Sequence, residues 1–177
     1  MKRRNIFQIF IFLFPISIFS QGMQNNGADI KIKAGSWINI KNSGFSNESI
    51  NSTIYNSGTI KLEGVLDNYG TINGDLIIGG SGTKNARIGN VESLEITNSG
   101  TISVLDDCSI SRVLKLSGGD FNTNSQIVVL KSDANGTALV DHNGGTTTGD
   151  FEVQRYISNG NGHHFVSSPV TSATINE

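Results

Sequence analysis

Asn56-Ser57-Gly58-Thr59-Ile60-Lys61-Leu62-Glu63-Gly64-Val65-Leu66-Asp67-Asn68-Tyr69-Gly70-Thr71-Ile72 is the stretch that decides the fold. It holds two copies of one motif, Asn-x-Gly-Thr-Ile, starting at Asn56 and at Asn68. A third copy, Asn98-Ser99-Gly100-Thr101-Ile102, follows further along the chain. Alternation comes after the motif, in Ile60-Lys61-Leu62 and Ile102-Ser103-Val104. The same period of two recurs in Ile30/Ile32, Ile38/Ile40, Leu76/Ile78, Leu94/Ile96, Leu114/Leu116 and Ile127/Val129. Side chains two apart share one face of a strand, so each pair predicts two apolar groups turned inward and a polar one turned out. The Gly and Asn between the pairs tolerate the left-handed backbone that a sharp corner needs.

Strands this short cannot each build a deep core, but they can stack. A coil of three short strands takes about 20–25 residues. Ile72, Leu94 and Leu116 are evenly spaced by a length in that range. The sequence therefore predicts an all-β chain. Residues 21–150 form a right-handed parallel β-solenoid of five or six coils, and residues 151–177 begin an incomplete second β segment. The competing architecture is an antiparallel β-sandwich, which also shows short strands at a spacing of about 8–12 residues. A motif that is locally self-similar favours the solenoid. The coil reading places Ile60, Leu62, Ile72, Leu76, Ile78, Leu94, Ile96, Ile102, Val104, Leu114 and Leu116 inside. It places Lys61, Glu63, Glu95, Ser103 and Lys115 outside.

Composition agrees with this reading. The hydrophobic fraction, with glycine left out, is 36%. Residues 21–177 contain 21 Gly, 19 Asn, 19 Ser and 13 Thr, nearly half of that stretch. A helical bundle needs long runs of Ala, Leu, Glu and Lys and is excluded. There is no basic excess, so no nucleic-acid partner is expected.

The N-terminus reads as a processing segment. Lys2, Arg3 and Arg4 precede an apolar run from Ile6 to Phe19, and Ser20 is a small residue at its end. The run is short for a membrane span, which takes about 20 apolar residues. Residues 1–20 are therefore read as a secretory signal peptide cut after Ser20. Without Lys2, Arg3 and Arg4, 10 basic side chains face 15 acidic ones, a formal charge of −5. Cys108 is the sole cysteine, which excludes a disulfide framework and a Cys-based zinc site. Its neighbours Asp106 and Asp107 should raise rather than lower its pKa, which argues for a small strand residue and against a nucleophile.

From Leu114 a longer pattern appears: Leu114-Lys115-Leu116-Ser117-Gly118-Gly119-Asp120-Phe121-Asn122-Thr123-Asn124, then Ile127 to Ser132 and the turn at Ala134-Asn135-Gly136. Phe151-Glu152-Val153-Gln154-Arg155-Tyr156-Ile157 and Phe165-Val166-Ser167-Ser168-Pro169-Val170 follow. This resembles a repetitive, β-helical or adhesin-like segment of large cell-surface proteins of Bacteroidota, exported by the type IX secretion system. The resemblance is specific over residues 114–170 and compositional over residues 28–113. It implies an exported protein, displayed at the outer-membrane surface or released, with the secretion machinery as a partner. It carries over no catalytic residues. Proteins of that kind end in a C-terminal sorting domain, whereas this sequence stops at Glu177. The expectation is a fragment of a longer polypeptide, or a truncated frame.

Few residues suggest chemistry. His163 and His164 are adjacent, so on a strand they would point to opposite faces, and His142 is distant. Gly79-Gly80-Ser81-Gly82-Thr83-Lys84 starts like a calcium β-roll repeat, but Lys84 stands where a ligand Asp is required. Asp67, Asp75, Asp106, Asp107 and Asp120 fall near corners, where Asp caps turns. Arg87 and Arg112 lie roughly one coil apart in sequence, so they are candidates to stack on one face as a polyanion or glycan contact. Tyr55 and Tyr69 are candidate sugar-stacking rings. No Gly-x-Ser-x-Gly, His-Glu-x-x-His or phosphate-loop motif occurs, and no cofactor or metal is expected. Two functions follow. The first is a non-enzymatic, exported adhesin-like protein or stalk with a glycan or cell-surface partner. The second is a polysaccharide-degrading or polysaccharide-binding β-helix.

Overall fold

The structure is a computed structural model that describes residues 22–157. The signal-peptide reading of residues 1–20, and the readings of His163, His164 and the Ser168-Pro169-Val170 segment, lie outside the described residues.

The described chain is all-β and winds as a right-handed parallel β-solenoid of about seven turns. It has three faces. The first is a seven-stranded parallel sheet: Met23–Asn25, Phe45–Asn47, Leu66–Asn68, Lys84–Arg87, Thr101–Val104, Asp120–Asn122 and Thr146–Thr148. The other two faces share long strands that fold around a corner: Thr53–Leu62, Thr71–Ile78, Asn90–Ile96 and Cys108–Leu116. Register shifts mark that corner, between Tyr55 and Thr59 and between Ile72 and Asp75. Ile30–Ile32, Val128–Leu130 and Phe151–Val153 complete the second face, while Trp37–Ile40 and Leu139–His142 complete the third. The antiparallel sandwich fails on these pairings. The one antiparallel pair among the described residues is the small hairpin Ser132–Asp133 with Gly136–Thr137. Phe151–Val153 stacks on Val128–Leu130, so the solenoid runs past the expected boundary at 150.

Coil length varies along the stack. On the first face Met23 pairs with Phe45 and Phe45 with Leu66. Leu66 then pairs with Ala86 and Ala86 with Val104, so each of these coils is shorter than the one before it. Leu94 faces Leu76 and Leu114, not Ile72 and Leu116. The first face carries seven strands, one for each of about seven turns, where the even spacing of Ile72, Leu94 and Leu116 predicts five or six. The repeated motif misleads the count because it marks corners of all three kinds. Asn68 turns the chain from the first face to the second, Asn56 from the second to the third, and Asn98 from the third to the first. All three side chains are buried. Asn68 and Asn56 each accept a bond from the backbone N–H two residues on, at 3.2 and 3.0 Å, which closes the turn.

The core is the stack of inward side chains. All eleven positions expected inside are buried, and Leu62, Ile72, Leu76, Ile96, Ile102, Val104 and Leu114 are fully so. Burial of side chains this size stabilises by about 1.5–3 kcal/mol each. Lys61, Glu63, Glu95, Ser103 and Lys115 point out but are half-buried, since strands above and below cover their stems. One pair is inverted. Val128 and Leu130 point inward, leaving Ile127 52% exposed. Asn124 and Ser125 cause the shift: both have positive φ, 53° and 64°, and this double left-handed corner moves the strand by one residue.

Candidate functional site

Arg87 ends the first-face strand Lys84–Arg87, directly above Asp67 of the preceding coil. Its Nη1 donates to Asp67 and its Nε to Asp106 of the following coil. The Tyr69 ring lies against the guanidinium, 4.3 Å from carbon to centroid. The bond to Asp106 is the main cause raising this guanidinium above its ordinary value. Burial opposes it, and the bond to Asp67 adds to it. Three coils are thus tied together by one side chain.

Arg112 sits elsewhere, at the corner between the second and third faces. Its Nη1 donates to Glu92 Oε1 at 2.9 Å, and Glu92 Oε2 accepts from the Gly74 N–H at 2.6 Å. The expected stacking of Arg87 on Arg112 does not occur. Their separation in sequence exceeds the local coil length, so the two fall on different faces. Tyr55 and Tyr69 are also apart, on successive coils. Tyr55 points out from the second face with the Lys31 ammonium 5.7 Å from its centroid. Both rings are partly exposed but already carry a cation of this chain.

Lys84 explains the glycine-rich turn. Its ammonium donates to the Gly79 and Ser81 carbonyls at 2.8 and 3.1 Å and to Asn98 Oδ1. Desolvation lowers its pKa, and Glu63 works against that. The lysine fills the place a cation would need. Among the described residues no three His, Cys, Asp or Glu side chains gather to hold a metal. Cys108 is buried on the second face, and its thiol is pushed up to about 12, first by burial and then by Asp107.

The third face holds a recess that the sequence reading does not foresee. Its outward row runs Trp37, Thr59, Asp75, Ser93, each the Cα partner of the next. Arg112 and the Glu95–Lys115 ion pair (3.1 Å) wall a depression of about 300 Å³ over Thr59, Asp75 and Ser93. Trp37 stands at the N-terminal end of the row, 72% exposed. A usable signal exists: the segments Thr59-Ile60-Lys61-Leu62, Asp75-Leu76-Ile77-Ile78 and Ser93-Leu94-Glu95-Ile96 align on their inward pairs, which puts Thr59, Asp75 and Ser93 in one column.

No helix of the described residues is long and apolar enough to cross a membrane. No protein-family model matches the chain, and no curated protein or solved structure matches it.

Proposed function

We propose that this chain is a non-enzymatic, exported β-solenoid that serves at the cell surface, or after release, as an adhesin-like module or stalk. The observation that carries the reading is coil-to-coil coupling of the surface charges. Arg87 spans three coils through Asp67 and Asp106, Arg112 binds Glu92 one coil back, and Lys115 binds Glu95 one coil back. Arg87, Arg112 and Lys115 thus hold neighbouring coils together, as suits a scaffold that presents an extended face. The leader pattern of residues 1–20 supplies the route out of the cytoplasm. The resemblance over residues 114–170 points to a surface protein of the type IX system.

Protease shaving of intact producing cells, with fractionation of the medium, tests this reading. The expected result is loss of the protein from intact cells under protease, or its recovery from the medium. A protein protected until the cells are lysed overturns it. The second reading is a polysaccharide-degrading β-helix, favoured by the carboxylates and cations around the third-face recess. New reducing ends or unsaturated products from acidic or neutral glycans would put it first.

A further inference from the structure

We propose that the third face binds a neutral glycan chain, laid along the solenoid axis from Trp37 over Thr59, Asp75 and Ser93. This names a ligand class for the adhesin reading and rests on that reading for its setting. The binding itself is a property of the isolated chain.

The geometry supplies a track. Trp37, Thr59, Asp75 and Ser93 are successive Cα partners in parallel register, so their side chains project from one column. The column advances one strand spacing per residue, about 4.8 Å. Thr59 and Ser93 are small, and this opens the recess of about 300 Å³ between the Arg112 and Glu95–Lys115 walls. That size lies at the lower end for small-molecule sites, which suits a shallow groove that follows a polymer rather than encloses it.

The charges select the ligand. Arg112 is tied to Glu92 at 2.9 Å and Lys115 to Glu95 at 3.1 Å, so both cations are already neutralised. The Asp75 carboxylate is exposed and, among the described residues, takes part in no side-chain hydrogen bond or ion pair. A polyanion laid here would meet the repulsion of Asp75 and would find the nearby cations already shared with Glu92 and Glu95. A neutral polyol meets neither obstacle. Its hydroxyls donate to Asp75 and exchange bonds with the Thr59 and Ser93 hydroxyls, which act as donor or acceptor.

The end of the track supplies the apolar contact. Trp37 is the single tryptophan of the chain and is 72% exposed. An indole offers a flat apolar face with a polar N–H edge, which matches the apolar face and hydroxyl rim of a pyranose. A polymer stacked on Trp37 and running along the axis passes directly over Thr59, Asp75 and Ser93.

Calorimetric titration of the purified full chain tests the proposal with three neutral probes, cellohexaose, xylohexaose and mannohexaose, and one anionic probe, hexagalacturonate. Saturable binding of at least one neutral probe is expected, with hexagalacturonate weaker. Trp37→Ala and Ser93→Tyr should each weaken the neutral probe about tenfold or more. Asp75→Asn should raise the affinity for hexagalacturonate relative to the neutral probe. Unfolding midpoints of the three variants should stay near that of the parent, since all three side chains lie on the outer surface. The proposal is overturned if no neutral probe saturates, if hexagalacturonate binds as well as the neutral probes, or if Trp37→Ala and Ser93→Tyr bind like the parent. Glycan binding by a protein confined inside the cell would refute the adhesin setting alone, and a surface protein that binds none of the neutral probes would refute the track alone.

Discussion

Asn47 donates a side-chain hydrogen bond to Asn68 at 2.7 Å, and neither side chain reaches solvent. Asn25 donates to Asn47 in the same way at 2.8 Å, so three amides stack up one corner of the solenoid. An amide carries both donor and acceptor, so each asparagine can pass the pattern to the next coil. Asn68 ends the run on the Ile88 carbonyl at 2.6 Å. Ile88 holds the corresponding corner position one coil further on, and its apolar side chain is fully buried there.

Asn68→Ala should be among the more costly single changes at this corner. It strips partners from Asn47, from the Gly70 N–H and from the Ile88 carbonyl. Each buried group left unpaired costs about 1–3 kcal/mol. Asn25→Ala, at the end of the stack, should cost less. Urea unfolding of both variants checks the order, and equal midpoints would refute the stack as a stabilising element.

The inverted pair gives a test of register. Val128→Asp puts a charge into the core and should cost several kcal/mol, about 4 or more. Ile127→Asp, one residue away and 52% exposed, should stay within about 0.5 kcal/mol. Thermal unfolding that ranks them the other way would restore the inward reading of Ile127.

Two glycines separate backbone strain from crowding. Gly74 and Gly82 both have positive φ, 93° and 74°. A Cβ at Gly74 would collide with the Asn56 carbonyl, whereas a Cβ at Gly82 meets nothing within 4 Å. Gly82→Ala should therefore cost only the conformational penalty, about 1–2 kcal/mol. Gly74→Ala should cost clearly more, because the coil below must move. Matched denaturation curves for the two variants decide it.

Burial of Cys108 makes stability fall at alkaline pH. The folded thiol titrates at about 12, against an ordinary value of 9.0. Between those values the unfolded chain has lost the proton that the folded chain keeps. The contribution is thus complete below pH 9.0 and is lost as pH rises through about 12. Cys108→Ala should show a flatter decline over that window than the parent. In mildly alkaline buffer the folded thiol should react with iodoacetamide far more slowly than the urea-unfolded one. Equal rates would show that the thiol is not buried.

The inward pairs are legible in the sequence because a period of two against a polar background has one physical meaning. Leu94/Ile96 and Ile102/Val104 are buried as that pattern requires. Coil phase is not legible, because Asn-x-Gly-Thr-Ile satisfies the backbone equally well at each of the three corners. Even spacing therefore sets Ile72 against Leu94, although it pairs with Val91. The slip at Ile127 is silent because positive φ at Ser125 has no compositional mark. At the surface, Arg87 stands out for its charge, yet its contact with Tyr69 depends on how one strand end meets a corner of the preceding coil. Asp75 reads only as a turn cap, since its place beside Thr59 and Ser93 needs the correct phase.

In this architecture the hydrogen bonds between coils run along the solenoid axis, and the two ends of the described chain leave from opposite ends of the stack. Tension applied to those ends therefore loads the terminal coil first and peels it from its neighbour, as a zip opens tooth by tooth. Each peeled coil, about 20 residues of chain, releases about 60–70 Å when extended. The response to pulling is then a series of small yielding steps rather than one abrupt rupture. A tether built this way lengthens under load while its remaining coils stay folded, and it dissipates work at each step.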